Sequence, residues 1–570
     1  MHDSNEHGTA MQQTPRSAWV SALGALLVFF LICVAGQAMK GSFETEPAAG
    51  GDEAAHYVTG VMVKEYLLHG LPASPMRFAE RYYLQYPQVA IGHWPPGFYG
   101  MQGVWMAVFG TSRVVSLLLI ALMTAVMALQ VFWLVRKEHG FAAALLAGLA
   151  VEMLPLMQVQ WHCVMSDLPG AFTSFAAAVL FARYMDTRRW QDSLWFGIAS
   201  SVAILTRNSC WYMALVPPFV LLFTREFKAL ARPSFWVSVP VVACLGLPWA
   251  YIAGKMMFND VPAELEQVTR FVVLLRYLRI LATNLGPVLL ALAAVGFWKR
   301  VVNPANESKR SWLLASLAAF IAAQIAFHVL IKMTEPRFIL GAFPAMIPLA
   351  FAGAAELVPV LTSRFGIPRG AILAVLIATS LPPFFLPAPH YDTAQGMRQV
   401  VADLVANPRP GGSPAILVDS VPGAVGGEGT FIAEFAALQP RPERYILRTS
   451  KVMSEARWEG TVYRTLFSST AEVEQYLESI PIGIIVVDET APVAKRKPHS
   501  DQLAACIREY PNKWKLVRSY PAVRLGRTIP DGIKVYEGLG MGAFSPDRVK
   551  VKMTYSLGHE IDAKGKTQAK

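Results

Sequence analysis

The sequence predicts a polytopic α-helical membrane protein with a soluble α/β domain at its C-terminal end. Three observations carry that expectation. The 570 residues are 54% hydrophobic and only 16% charged, where soluble domains carry about 25% charged residues, and the mean hydropathy is +0.37. Apolar runs long enough to cross a bilayer recur through the first two thirds of the chain, a span needing about 20 residues. After Leu386 the pattern changes to short β-rich runs alternating with amphipathic helical stretches.

The first apolar run, Trp19–Ala38, is read as a span. A signal peptide is the alternative, but the preceding segment is long and weakly basic, with Arg16 its sole Lys or Arg, and no clear A-x-A site follows. Further runs follow at Val114–Val135, Phe141–Met157, Leu168–Tyr184, Leu194–Leu205, Tyr212–Phe223, Phe235–Ile252, Ile280–Trp298, Trp312–Ile331, Phe338–Leu357 and Ala371–Leu386. Together they give about eleven spans. The halves around Thr206-Arg207-Asn208 are short, and a single broken helix is an alternative. Basic clusters flank both ends (Arg188-Arg189 before; Arg225, Lys228 and Arg232 after), which favours a hairpin.

The net charge of +11 falls in such clusters between apolar runs, so it orients the chain in a bilayer and no nucleic-acid partner is expected. Arg136-Lys137, Lys299-Arg300, Lys309-Arg310, Arg364 and Arg369 keep the same parity. The N-terminus, residues 1–18, is then cytoplasmic. The long first loop, 39–113, is outside, together with His162 to Asp167, Arg207, Lys332 to Arg337 and everything beyond Leu386. The five cysteines show neither metal-ligand spacing nor a disulfide framework.

Domain organisation follows: a membrane module over 19–388, an outer α/β domain over 389–545 and a Lys-rich tail over 546–570. In the first loop, Asp52 to Leu68 reads as an amphipathic interfacial helix. The aromatics from Tyr82 to Trp105 suit a headgroup region or a groove for a lipid substrate. In the outer domain, Ala415–Val418, Tyr445–Leu447 and Ile484–Val487 read as strands, and Thr470–Ile480 and Gln502–Glu509 as helices. Gly423 to Gly429 is Gly-rich but lacks a dinucleotide fingerprint, so it reads as a loop.

The chemistry-bearing residues gather at outer helix ends. Carboxylates at a bilayer boundary are costly, so Gly51-Asp52-Glu53-Ala54-Ala55-His56-Tyr57 points to an ion, a proton or a charged substrate, with a hydrated loop as the bland alternative. His93-Trp94-Pro95-Pro96-Gly97, Arg113-Val114-Val115-Ser116, Met165-Ser166-Asp167-Leu168-Pro169, Leu205-Thr206-Arg207 and Glu335-Pro336-Arg337-Phe338 to Pro344 follow in order. Asp167 also suits a helix N-cap, Arg337 a snorkelling anchor and Arg207 a hairpin cap.

From Trp19 to Leu357 this set resembles the GT-C glycosyltransferases, specifically the polyprenyl-phosphate-sugar-dependent, glycosyltransferase family 39-like group. That group includes protein mannosyltransferases, the aminoarabinose transferase of lipid A and Rgt-type lipopolysaccharide transferases. The Asp52 loop is similar to its D-E-x-x-Y motif, His93 to Gly97 to its H-P-P-L element with Trp94 inserted, and Leu205-Thr206-Arg207 to its L-T-K with Arg for Lys. The resemblance implies an inverting transfer of a sugar from a polyprenyl-phosphate donor to an envelope acceptor at the extracytoplasmic face of a bacterial inner membrane. It implies Asp52 as general base or orienting group, Glu53 mainly holding the loop, and Asp167 in catalysis or metal support. A divalent metal at Asp52 and Asp167 is an expectation of the same kind. Arg337, Arg207 and His93 are then the candidate ligands of the donor phosphate, guanidinium forks matching phosphate oxygens. The rival readings are a transporter or lipid flippase, and a catalytically dead scaffold. Transporters place ionisable groups near the midplane and repeat their halves, and neither pattern is found here.

Overall fold

The computed structural model describes residues 15–48, 51–90, 92–257, 268–381, 393–407, 412–420, 427–455, 463–552, 559–562 and 568–569. Its N-terminal two thirds are helical. Helix α1 (Pro15–Met39) leads into a loop carrying α2 (Asp52–Leu68), α3 (Pro75–Gln85) and α4 (Pro96–Phe109). Then come α5 (Arg113–Met153), α6 (Pro155–Trp161), α7 (Asp167–Thr187), α8 (Trp190–Thr206), α9 (Val216–Thr224), α10 (Ser238–Met257), α11 (Arg270–Phe297), α12 (Trp312–Leu330), α13 (Ala342–Phe365) and α14 (Arg369–Ser380).

Among the described residues, seven helical stretches are long and apolar enough to cross a membrane: Trp19–Met39, Arg113–Met153, Asp167–Thr187, Pro233–Tyr251, Arg270–Val302, Trp312–Leu330 and Ala342–Phe365. The expected eleven runs differ from these seven for local reasons. The 41-residue α5 contains two of them, because Gly140 leaves helical geometry at φ 80 and ψ −179 and separates its two legs; that positive φ is one a side chain resists. The runs around Arg207 and the one at Ala371 form shorter elements, and residues 382–386 of the last lie outside the described set. Arg207 itself is extended (φ −152, ψ 128), ending α8 before a 3₁₀ turn over Asn208–Leu215. Small residues bring α11 and α13 together. A Cβ on Gly353 would lie 1.8 Å from the Leu292 carbonyl oxygen, and one on Gly296 2.1 Å from that of Leu349.

The C-terminal part is an α/β domain. Its six-stranded sheet has the order β1 (Ala394–Gln395), β7 (Trp514–Arg524), β8 (Arg527–Gly538), β6 (Ile484–Asp488), β2 (Ala415–Asp419), β3 (Tyr445–Arg448), while β4 (Ser454–Glu455) and β5 (Arg464–Thr465) pair with each other outside it. β2 runs parallel to both neighbours, whereas β8 is antiparallel to β6 and β7. Strands β2 and β6 are buried along their whole length, as the unbroken apolar runs Ala415–Val418 and Ile484–Val487 require. Helices α15 (Met397–Ala406), α16 (Glu428–Leu438), α17 (Thr470–Ser479) and α18 (Pro498–Glu509) accompany the sheet.

This domain closes over the first loop and changes the expected environment of α2. The helix forms over Asp52–Leu68, but His56, Tyr57, Val58 and Val61 are all buried. α2 packs against α4 and α16, so its apolar side meets protein where an interfacial helix would meet lipid. The neighbouring tyrosines follow it. Tyr82 and Tyr86 donate to the carbonyls of Pro440 and Gln439 at 3.0 Å each, making a seam between loop and domain. Glu46 adds to the seam by accepting the backbone N–H groups of Gly396 (2.8 Å) and Arg398 (2.7 Å) at the start of α15.

One buried ion pair holds the loop. Arg113, the first residue of α5, is 4% exposed and Glu53 is fully buried. Glu53 Oε1 accepts from Arg113 Nε (2.9 Å) and Nη2 (2.6 Å) and from the Val164 N–H (3.0 Å), while Oε2 accepts from the Ala48 N–H (3.0 Å). Arg113 also donates to the carbonyls of Ser42 (2.5 Å), Thr45 (3.2 Å) and His162 (2.6 Å). Four chain segments therefore meet on one guanidinium–carboxylate pair.

Breaking a buried pair from one side leaves its partner unpaired and costs about 3–5 kcal/mol. Glu53→Ala is therefore expected to lower the thermal midpoint of the detergent-purified protein more than Glu53→Ala combined with Arg113→Met; equal midpoints would refute the pairing argument. Gly353→Val is expected to force α11 from α13 at a cost of about 1–3 kcal/mol. Gly370→Ala, where a Cβ meets nothing within 4 Å, should leave the midpoint in place.

Candidate active site

Four of the sequence-selected residues converge although they are far apart in the chain. Asp52 opens α2 and Asp167 opens α7. Arg207 is the extended residue that closes α8. Arg337 sits in a 3₁₀ turn, Pro336–Ile339, just before α13. Arg207 Nη2 lies 2.8 Å from Asp167 Oδ1, Arg337 Nε 3.8 Å from the same oxygen, and Arg337 Nη2 3.3 Å from Asp52 Oδ2. The order is thus Asp52, Arg337, Asp167, Arg207, with charges alternating.

The two acids differ in surroundings. Asp167 is sealed, its side chain fully buried, and neither of its oxygens receives an aligned hydrogen bond. Its pairing with the arginines is therefore mainly electrostatic. Asp52 is 27% exposed and Arg337 29%, so this end of the row opens outward. Burial raises the Asp52 carboxyl above its ordinary value, against the opposing pull of Arg337; desolvation disfavours a charged carboxylate and a neighbouring cation favours it.

The arginines are held from behind. Arg207 donates from Nε to Ser209 Oγ (2.9 Å) and from Nη1 to Ser166 Oγ (3.4 Å). The guanidinium carbons of Arg207 and Arg337 lie 5.2 and 5.7 Å from the centre of the Phe338 ring, which stacks on His328 at 5.3 Å. Cations over an aromatic face are attracted by its quadrupole, so Phe338 helps keep two like charges side by side. The Pro-motif segment reaches the same corner. Gly97 lies so close to the chain before Arg207 that a Cβ would come within 2.6 Å of the Leu205 carbonyl oxygen. The His93 carbonyl accepts from Asn208 Nδ2 at 3.2 Å.

His93 contacts Trp94 edge to face at 4.6 Å, and its fixed link to the Arg207 segment is through its backbone. Glu53, expected from the resemblance mainly to hold the loop, is fully buried, and both its oxygens are engaged by Arg113, Val164 and Ala48. The motif similarity missed His56. It lies one turn after Asp52, stacks on Trp94 at 4.1 Å and has Nδ1 2.9 Å from the Tyr99 hydroxyl. Burial first, then Arg207 and Arg337, holds its imidazole well below the ordinary value. The i, i+4 spacing from Asp52 was the available signal, since it puts both on one face of a helix.

The row does not fit a metal well. Asp52 and Asp167 are already matched by Arg337 and Arg207. Among the described residues, the grouping of three His, Cys, Asp or Glu ligands lies elsewhere, at Asp419, Glu428 and His499.

Comparison with known proteins agrees with this architecture. Residues 93–252 match the family model described as dolichyl-phosphate-mannose-protein mannosyltransferase. No curated protein matches the sequence. The structure is similar to ArnT from Cupriavidus metallidurans bound to undecaprenyl phosphate, at TM-score 0.52 and 14% identity, covering 93% of this chain and 100% of that one. The apo state of ArnT gives a TM-score of 0.53 at 14% identity, with coverages of 92% and 98%. The oligosaccharyltransferase of Archaeoglobus fulgidus in complex with Zn and sulfate gives 0.50 at 14% identity, covering 81% of this chain and 68% of that one. At such identities the structural likeness speaks for fold, and the family model adds sequence over the stretch that holds His93, Asp167 and Arg207. The chain thus shares the membrane fold of ArnT, and over residues 93–252 its sequence is similar to the dolichyl-phosphate-mannose-protein mannosyltransferase family.

Proposed function

We propose that the protein is an inverting glycosyltransferase that moves one sugar from a polyprenyl-phosphate donor to an envelope acceptor, a lipid, glycan or protein. The observation that carries this reading is the alternating row, in which Arg337 bridges the outward-facing Asp52 and the buried Asp167, and Arg207 pairs with Asp167 behind it. The distribution of Lys and Arg favours the extracytoplasmic face of a bacterial inner membrane for this row and for the α/β domain. The ArnT structure bound to undecaprenyl phosphate supports a lipid-phosphate donor.

In the proposed reaction the acceptor hydroxyl attacks the anomeric carbon, and a new C–O bond forms on the face opposite the phosphate. The bond from that carbon to the phosphate oxygen breaks, its electron pair leaves with the lipid phosphate, and the hydroxyl proton passes to Asp52. Phosphate is a competent leaving group, so fixed cations matter more than a general acid. Arg337 is partly exposed and already shared with Asp52, so it can turn its fork to phosphate oxygens. Arg207, held by Asp167, Ser166 and Ser209, supplies a second fixed charge. Asp167 keeps both guanidiniums in place from its buried position. His93 takes a lesser part as a phosphate contact beside them.

Incubation of purified protein with radiolabelled polyprenyl-phosphate sugars and envelope extracts tests the reading through formation of a labelled acceptor. If no donor is consumed while lipid crosses the bilayer of a proteoliposome, the protein is a flippase. Asp52→Asn is expected to lower kcat by about 10²–10⁴, the usual contribution of a positioned base, with little change in KM for the donor; intact transfer would remove Asp52 from the chemistry. A base must be ionised to act. Transfer by the wild type should therefore fall as pH drops through the Asp52 pKa, which lies above the ordinary carboxylate value, and this acid limb should be absent from the residual rate of Asp52→Asn.

A further inference from the structure

A second cluster lies in the α/β domain, away from the row of Asp52 and Asp167. Asp419 ends β2, Glu428 opens α16 and His499 is in the first turn of α18. Their relative exposures are 3%, 1% and 1%. One ligand atom from each falls within 4.8 Å of the others. The place has topological meaning. β2 is flanked by β3 and β6 in parallel, so the connections leaving its C-terminal end and that of β6 diverge. Open parallel sheets bind ligands in the crevice formed there.

The histidine points to a cation. Nε2 of His499 is buried, has no hydrogen-bond partner and lies 4.0 Å from Asp419 Oδ1. Nδ1 is 3.0 Å from the Tyr463 hydroxyl, which also accepts the backbone N–H of His499 at 3.1 Å. In the tautomer whose Nδ1 proton goes to Tyr463, the ring directs the Nε2 lone pair toward the carboxylates, an unfavourable contact unless a positive centre stands between them. A second-shell oxygen on one ring nitrogen is the usual way a protein orients a metal-binding histidine.

The two carboxylates differ in their supply of donors. Thr449 Oγ1 lies 2.6 Å from Asp419 Oδ1 and 2.8 Å from Glu428 Oε1, yet its single proton can serve one at a time. Ser500 Oγ donates to Asp419 at 2.8 Å, while Glu428 also accepts the Ser450 N–H at 2.9 Å and the Ser450 hydroxyl, so Asp419 is the carboxylate with fewer donors. Arg448 Nε, 2.9 Å from Glu428 Oε2, is the guanidinium paired directly with these acids.

We propose that Asp419, Glu428 and His499 form a binding site for a divalent transition-metal ion. Zn²⁺ is the best match, because it accepts one imidazole nitrogen and two carboxylate oxygens at about 2.0–2.2 Å, reached by small inward rotations of three side chains. The ion ties the end of β2 to α16 and α18. It also bears on the first loop: Arg448 Nη1 donates to Gln88 Oε1 at 2.7 Å, and Gln88 Nε2 to the carbonyl of Gly51 at 3.3 Å, one residue before Asp52. Its role is to fix the face of the domain that lies on that loop.

The test uses full-length protein in detergent, purified without a polyhistidine tag, stripped with chelator and titrated with ZnCl₂ by calorimetry. About one ion per chain should bind and raise the thermal midpoint, and Co²⁺ should give a visible absorption band from the same site. His499→Gln should abolish both the binding and the midpoint shift. Tyr463→Phe keeps all three ligands but removes the orienting oxygen, and should weaken binding about 10- to 100-fold. Absence of Zn²⁺ binding by the wild type overturns the proposal. Unchanged affinity in His499→Gln overturns it too, as it places the ion elsewhere. If His499→Gln does not purify as a monodisperse protein, Tyr463→Phe decides by the same measurement, unchanged affinity again overturning the proposal.

Discussion

The pairing of Arg113 with Glu53 is the contact on which the candidate site depends. A guanidinium and a carboxylate taken from water lose several kcal/mol of solvation each, and here the loss is offset by saturating both groups with hydrogen bonds from four segments of chain. Because Glu53 cannot move, Asp52 beside it starts its helix at a set position. Because Arg113 also holds the His162 carbonyl, the turn leading to Asp167 is set by the same group. The two acids of the row are thus placed by one buried interaction to which neither belongs.

Much of this was readable in the sequence. Helix Asp52–Leu68 has the boundaries its pattern suggested, and the break at Arg207 was signalled by two short apolar halves around a polar triplet. The strands of the α/β domain at 415, 445 and 484 were visible as β-branched runs. Other features had no local signature. Asp52 and Arg337 are 285 positions apart, and only their common side of the membrane suggested a meeting. The amphipathic pattern of α2 is the same whether its apolar face meets lipid or the α/β domain, so burial by protein was not legible. The hairpin of β7 and β8 was missed for a chemical reason. Its turn is Leu525-Gly526, with φ of 51 and 73, and Leu stands where Asn or Asp would usually mark such a turn.

The site also shows how a membrane protein can keep like charges together. Arg207 and Arg337 share the ring of Phe338 on one side and the carboxylate of Asp167 on the other. Neither arginine needs solvent to be stable, and an anionic group arriving from the exposed end adds to a balance that is already struck. Preorganised charge of this sort needs little rearrangement when negative charge develops. Asp167 and Arg207 form the more buried end of the row, and Asp52 and Arg337 the more exposed end.

The seam between the first loop and the α/β domain has a practical meaning for anyone dissecting the chain. Tyr82, Tyr86 and α2 give the domain part of its own hydrophobic core, and Glu46 closes the start of its first long helix. The module boundary suggested by sequence near residue 389 is therefore not a clean place to cut. A fragment starting there would carry an unsatisfied helix start and a bare apolar face, and it would aggregate or recruit the missing loop supplied in trans. The α/β domain and the first loop share one hydrophobic core, separate from that of the long apolar helices.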